Sequence, residues 1–504
     1  MIRTKTSDLH TKADNNRSVL PLQDDADFVA CAKEAVQLTK VAKEPVIFSV
    51  TVSFESIDPL AVLEILAESD QFQYYWEHPE ERLALSAGRA IRTISCKGKC
   101  PKANTNGAFT DRFSGTSEAI KAVCEDIVEY SAIRHSLAGV HFLGGFSFFD
   151  RQDAQAWKNF HAADFVVPEW SFVRDGKLCL LTVNKEVPRN VNAEKLTEGI
   201  RATIDRMATQ LLKSTSAALY ETSSHKSDTP EVIEEPDSLE NWIESINEAK
   251  NLIRLGILSK IVLSRMLRIR LSGRQQPTRI LNQLRNEYPS CYTFMMRPEG
   301  KTAFVGSTPE RLLSIRSNYI LTEGLAGSIS RGKSATEDTI LEKQLLNSEK
   351  DLEEHRLVVE DIREKLRNFC DEVNHPPQPG IKKFTNVQHL YTPISAWTNN
   401  KYDPFVILQS LHPTPAVGGV PSRKALGLIP EYELYERGWY AGPVGWLNSK
   451  GRGEFVVAIR SGLITEHEAL FYAGCGIVQD SDPVAEWEET KLKLIPMLTA
   501  INHA

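Results

Sequence analysis

The chain has 504 residues, 41% of them hydrophobic and 25% charged, with a formal net charge of -7. That is the composition of an ordinary soluble globular protein with a sizeable core, and it leaves no basic footprint for nucleic acid or an anionic membrane. No apolar run approaches the ~20 residues that span a bilayer. The cysteines stand at 31, 96, 100, 124, 179, 291, 370 and 475, and only Cys96 and Cys100 are close, without the second pair a zinc site requires. Reduced thiols in a cytoplasm are the expectation. The opening MIRTKTSDLHTKADNNRS lacks an apolar secretory core and carries Asp8 and Asp14, unlike a transit peptide.

In chain order, residues 1–22 are polar and predict a disordered tail, and strand and helix patterns then run over 23–213. PVIFSVTVSF at 45–54 alternates, and HFLGGFSFFD at 141–150 is strand-like between glycines. The Ser, Thr, Glu and Pro-rich stretch 214–238 predicts a mobile connection to a catalytic part at 239–504. There, LENWIESINEAKNLIRLG at 239–256 predicts a helix with Trp242, Ile246 and Ala249 on one stripe and Gly256 as its stop. SKIVLSRMLRI reads as a strand placing Lys260, Val262, Ser264 and Met266 on one face. Further strands are expected at 302–306, 453–462 and 469–473, and helices at 348–369 and 482–499. The order predicts a mixed α+β fold with large antiparallel sheets, without a short internal repeat.

Polar groups on buried faces mark a candidate site. In SEKDLEEHRLVVEDIREKLRNFC the apolar stripe Val358, Ile362, Leu366 and Phe369 extends back through Glu354 to Asp351. A carboxylate taken from water there needs a cation, a donor or a proton, unless Glu354 lies beyond the core edge. In SDPVAEWEETKLKLIPML, Glu486, Glu489 and Lys493 share one face, beside the apolar face of Trp487, Leu494 and Leu498. Carboxylates from both helices would make an oxygen-only site suited to Mg²⁺, whereas either run alone reads as a solvated helix face. LHPTPAVGG at 411–419 and FYAGCGIV at 471–478 are expected as small-residue turns that let backbone approach an anion, and EGLAGSISRG at 323–332 is similar. Neither a Walker A motif nor G-x-G-x-x-G is present, which argues against nucleotides.

Together with SKIVLSR, GSTPERLL, QHLYTPI, ERGWYAGPVGW and EFVVAIRS, these blocks stand in one order across 257–495, and in that order the chain resembles the chorismate-utilising enzymes. YYWEHPEERLALSAGRA at 74–90 also looks like isochorismate synthases. The resemblance implies two stacked antiparallel sheets flanked by helices, with chorismate as substrate and Mg²⁺ as cofactor. It implies that Lys260 activates water and that Glu310 protonates the departing hydroxyl, so burial should favour a neutral amine at Lys260 and a protonated Glu310. An ion pair between Glu310 and Arg311 is the competing reading. Glu354 and Glu489 match metal ligands, supported by Glu486 and Asp351. Arg460, Lys493 and the Gly474 backbone match groups that hold substrate carboxylates. Gly327 and Ala416 belong to loops around the ring, and His389 stands near the reacting face or packs as an ordinary buried histidine.

Lysine at 260, where aminating relatives carry glutamine, implies water as nucleophile and no glutaminase subunit. Pro415, Ala416 and Val417 look like isochorismate synthases; the long N-terminal region with its EHPEERLALSAG segment resembles those feeding menaquinone or phylloquinone biosynthesis, and a monomer is expected. Salicylate synthase, which goes on to eliminate pyruvate, and an inactive chorismate-binding regulatory subunit remain the alternatives.

Overall fold

A computed structural model describes residues 3–6, 25–97, 111–150, 154–217, 231–234, 238–271, 275–300, 302–398 and 402–502. The expected tail lies outside these, apart from the strand Arg3–Thr6, as does most of the expected connection. Of that connection, 214–217 end the helix Ala193–Ala217 and Glu231–Glu234 pairs with the strand Lys260–Arg270. Among the described residues, no helix is long and apolar enough to cross a membrane.

Two sheets are joined by two long strands, Leu83–Cys96 and Ala163–Asp175, which pair along their whole length. A register shift between Ala90 and Arg92, beside Arg89 at φ 56°, bends this pair so that each strand serves both sheets. The first sheet continues on one side through Leu178–Glu186 and Ile47–Phe54. On the other side it runs through Gln73–His78, Tyr292–Arg297, Ala303–Thr308, Ser461–Ile464 and Glu468–Ile477 to Lys260–Arg270. The second sheet runs from residues 163–166 through His141–Phe146, Pro443–Asn448, Gly453–Val457, Arg311–Arg316 and Tyr319–Ser330 to Val387–Trp397. Among the described pairs only Ile127–Ser131 with its two neighbours is parallel. Each sheet therefore passes from a block of strands of 23–213 to a block of strands of 239–504, joined in the first sheet by Gln73–His78 with Tyr292–Arg297 and in the second by His141–Phe146 with Pro443–Asn448.

The expected two-layer α+β architecture follows from where the apolar faces go. Trp76, Leu263 and Phe304 of the first sheet share one core with Leu313, Trp446 and Phe455 of the second. On its other face the first sheet packs Val50, Phe172, Met295 and Phe471 against helices Ala26–Leu38, Ala193–Ala217, Pro277–Glu287 and Pro483–Asn502. Both faces being covered, Ile47–Phe54 buries its polar positions too: Thr51 and Thr182 share a hydroxyl contact at 2.9 Å. The helix Leu239–Arg254 has Ser238 capping Asn241 N–H, and Gly256 takes the left-handed turn at φ 69°.

Three expectations are corrected. Residues 453–462 form two strands, Gly453–Val457 and Ser461–Ile464, because the chain crosses between the sheets at 458–460, with Arg460 at φ 49°. All of FYAGCGIV but Val478 lies in the strand Glu468–Ile477, its glycines admitting close neighbours rather than making a turn. EGLAGSISRG lies mostly in the strand Tyr319–Ser330, which bulges at Gly327 with φ 76°.

Candidate active site

These corrections explain how one cavity forms. Its walls come from the bulge at Gly327, the crossover at Arg460, Gly474 of the neighbouring strand, and the turn carrying Ala416. Its volume is about 310 Å³, enough for one small molecule. Helices Glu349–Leu366 and Pro483–Asn502 bring Asp351 and Glu354 from one side and Glu486, Glu489 and Lys493 from the other. Glu310 and His389 complete the set; of the expected site residues only Lys260 stands behind the wall.

Lys260 opens the strand Lys260–Arg270, is fully buried, and donates to Glu354 Oε1 at 2.8 Å. Gly476 on the paired strand makes room: a Cβ there would stand 2.7 Å from Lys260 Cε and 2.9 Å from Glu354 Oε1. The amine therefore contacts an expected metal ligand directly, a pairing that neither helix nor strand pattern could disclose. Glu310 lies between the strands Ala303–Thr308 and Arg311–Arg316 and is 3% exposed. Burial first, and then the charge of Glu323, push its carboxyl up to about 8, against the pull of Lys260. Arg311 points elsewhere, to Glu454 at 2.9 Å and to Glu81, so the competing ion pair with Glu310 does not form.

The four expected metal carboxylates face one another's charge. Burial and then Glu489 raise Glu486, and Asp351 is raised by burial, with Glu354 adding to it. Burial opposes the charge of Glu489, but Lys493, Lys350 and a hydrogen bond with Glu486 together hold its carboxyl below the ordinary value. Each glutamate has a lysine: Lys260 for Glu354 at 2.8 Å, Lys350 for Glu486 at 3.3 Å and Lys493 for Glu489 at 2.8 Å. As the side chains stand, no three His, Cys, Asp or Glu groups among the described residues converge on one point. The donor chemistry still fits a hard divalent cation, since mutually repelling carboxylates surround one space.

Lys493 also donates to the Gly474 carbonyl at 2.9 Å, so this glycine presents an acceptor to the lysine as well as lining the cavity. Arg460 donates to His389 Nε2 at 3.2 Å, and Ser328 Oγ lies 2.8 Å from Nδ1. Because a guanidinium only donates, Nε2 accepts and the ring proton sits on Nδ1. Burial, followed by the charges of Arg460 and Lys493, keeps His389 far below its ordinary value, so it is neutral.

The supporting frame includes residues the sequence left unremarked. Arg437, buried within ERGWYAGPVGW, donates to Glu433 at 2.6 Å and to the carbonyls of Val417 and Val262, each at 2.8 Å. Glu433 in turn accepts from Ser264 N–H at 2.8 Å. This pair fastens the Lys260 strand to the Ala416 turn. Lys350 had a signal, since it directly precedes Asp351 in SEKDLEEH; the buried Glu323 had none beyond its place in EGLAGSISRG.

The chain as a whole is similar to known proteins. The chain matches the family model described as "Chorismate binding enzyme" over residues 32–502. It is 36% identical over 480 residues to isochorismate synthase MenF of Bacillus subtilis, covering 93% of this chain and 97% of that one. With the salicylate biosynthesis isochorismate synthase of Pseudomonas aeruginosa it shares 34% identity over 474 residues, 93% of each chain. Among solved structures, MenF, the menaquinone-specific isochorismate synthase from Escherichia coli, matches with a TM-score of 0.69 at 24% identity, over 94% of this chain and 100% of that one, which establishes the shared fold. The chain belongs to the chorismate binding enzyme family.

Proposed function

We propose that the chain is a magnesium-dependent isochorismate synthase acting in quinone biosynthesis. The observation that carries the reading is Glu310, a buried carboxyl that keeps its proton to about pH 8 at the wall of a cavity whose other side leads to Lys260. Lys260 takes a proton from water as its oxygen bonds to C2. The ring double bonds shift, the C4–O bond breaks, and Glu310 gives its proton to the leaving hydroxyl. One water enters and one leaves, so the reaction is an isomerisation; proton exchange with solvent resets both residues.

Arg460 and Lys493 bind and orient substrate carboxylates, while neutral His389 fixes Arg460 from behind. Glu354 and Glu489, flanked by Glu486 and Asp351, would hold Mg²⁺, which when bound neutralises the ring carboxylate of the substrate. Relatives that carry isochorismate synthase in their names over almost the whole chain support the product. Lysine at 260 supports water over ammonia, and so no glutaminase partner.

Chorismate and Mg²⁺ supplied to the purified protein should yield isochorismate without stoichiometric pyruvate. Abundant salicylate with pyruvate would assign the second half-reaction to this pocket instead. Chorismate binding without turnover would make the chain a binding subunit. Removing the metal with a chelator should abolish turnover, and Glu489→Gln should raise the Mg²⁺ concentration for half-maximal rate at least ~10-fold.

A further inference from the structure

We propose that Glu323, a buried carboxylate outside the cavity wall, is the positioning residue that keeps the proton on Glu310; this rests on Glu310 being the acid. Glu323 lies in the strand Tyr319–Ser330 and is 3% exposed. Its Oε1 accepts the Arg311 N–H at 2.9 Å, a bond to the very peptide that joins Glu310 to Arg311. Lys382 Nζ lies 3.2 Å and 3.3 Å from its two oxygens, and the Tyr391 hydroxyl bonds it as well. Glu310 has far less: among the described residues its carboxylate accepts from the Thr414 hydroxyl, at 3.5 Å.

Two carboxylates thus share a buried neighbourhood with unequal supplies of hydrogen-bond donors. The donors converge on Glu323, whose charge opposes a second charge at Glu310, so the proton stays on Glu310. The groups acting on Glu310 are Glu323, which favours the proton, and Lys260 and Lys382, which disfavour it, with the Thr414 hydroxyl beside them. Those around Glu323 are Arg311, Lys382, Tyr391 and Tyr292, with Glu81 and Glu454 beyond Arg311. Glu323 touches no reacting atom; it acts through Glu310 alone.

Because the device is a charge balance, its two halves can be removed in opposite directions. Profiles of kcat against pH are recorded with chorismate and Mg²⁺ for the wild type, Glu323→Gln, Lys382→Met and Glu310→Gln. Glu323→Gln leaves Lys382 facing Glu310, so the alkaline limb should move to lower pH by a unit or more, with a loss of at least about 3-fold at pH 7.5. Lys382→Met removes a cation, so the limb should move to higher pH. General loosening of the strand would not give opposite displacements. Unmoved limbs, or limbs moving the same way, overturn the proposal. If Glu323→Gln does not fold, the partly exposed Lys382 decides alone: an alkaline displacement supports the proposal and an unchanged limb overturns it. Wild-type turnover in Glu310→Gln would overturn the acid reading itself, separately from the behaviour of Glu323.

Discussion

Replacing Gly476 by alanine puts a methyl group between Lys260 and Glu354. Its backbone is outside the left-handed region, so alanine is accepted there conformationally. The new Cβ would stand 2.7 Å from Lys260 Cε, 2.9 Å from Glu354 Oε1 and 3.2 Å from Lys260 Nζ, where ordinary contact begins at 3.4 Å. The lysine stem must therefore retreat by about 0.7 Å and the carboxylate by about 0.5 Å. Both are ends of flexible side chains, so the fold should lose no more than the ~1–3 kcal/mol typical of overpacking. Chemistry should suffer more, because misplacement approaching 1 Å costs up to ~10²-fold in rate. We expect kcat/KM for isochorismate formation to fall about 10- to 100-fold, or about 1.4–2.7 kcal/mol, together with a higher Mg²⁺ requirement. Gly427→Ala is the matched control: exposed in the helix Ser422–Tyr432, with no atom within 4 Å of a Cβ, it should gain up to ~1 kcal/mol of stability at unchanged activity. Wild-type kcat/KM and Mg²⁺ dependence in Gly476→Ala would refute the claim that the Lys260–Glu354 contact belongs to the machinery.

Glu310→Gln should cost at least ~10²-fold in kcat yet stabilise the fold at alkaline pH. The folded carboxyl at about 8 lies above its ordinary 4.5, so the folded chain holds an extra proton between these values and wild-type stability declines as pH rises through that window. Urea midpoints at pH 5 and pH 8.5 should diverge for the wild type and move less for the variant; parallel shifts would contradict the buried, protonated acid. Arg437→Met strands the buried Glu433 and should cost ~3–5 kcal/mol in denaturant unfolding. The double variant with Glu433→Gln should recover part of it, and simple additivity of the two losses would refute their coupling.

Much of the site is legible where periodicity and chemistry agree. The stripe through Glu354 and Asp351, and the face of Glu486, Glu489 and Lys493, line one cavity. The helix ending at Arg254 is readable from Ser238 and Gly256. The sheets are harder to read, because strands covered on both faces lose the alternation that marks orientation. EFVVAIRSGLI is apolar nearly throughout, so nothing in it announces the crossover that aims Arg460 into the cavity. Glycine misleads for a related reason. In FYAGCGIV it permits the approach of a neighbouring strand and of Lys260, although in sequence it resembles a turn. Lys493 is within local pattern as the i+4 neighbour of Glu489, but the other two lysine partners are beyond it, since Lys260 meets Glu354 across 94 positions and Lys350 meets Glu486 across 136.

The bent strands Leu83–Cys96 and Ala163–Asp175, shared by both sheets, bear on what a break in the chain would do. His141–Phe146 from the first part pairs with Pro443–Asn448 from the second, and Gln73–His78 pairs with Tyr292–Arg297. Cleavage between Ala217 and Glu231 would spare all of these pairings and every residue of the cavity. The two fragments should then remain one particle through a denaturing-free sizing column and keep turning over, behaving as a two-chain enzyme. Expressed separately, each would expose the sheet edges the other normally covers, a recipe for aggregation; co-expressed, each is the other's missing half.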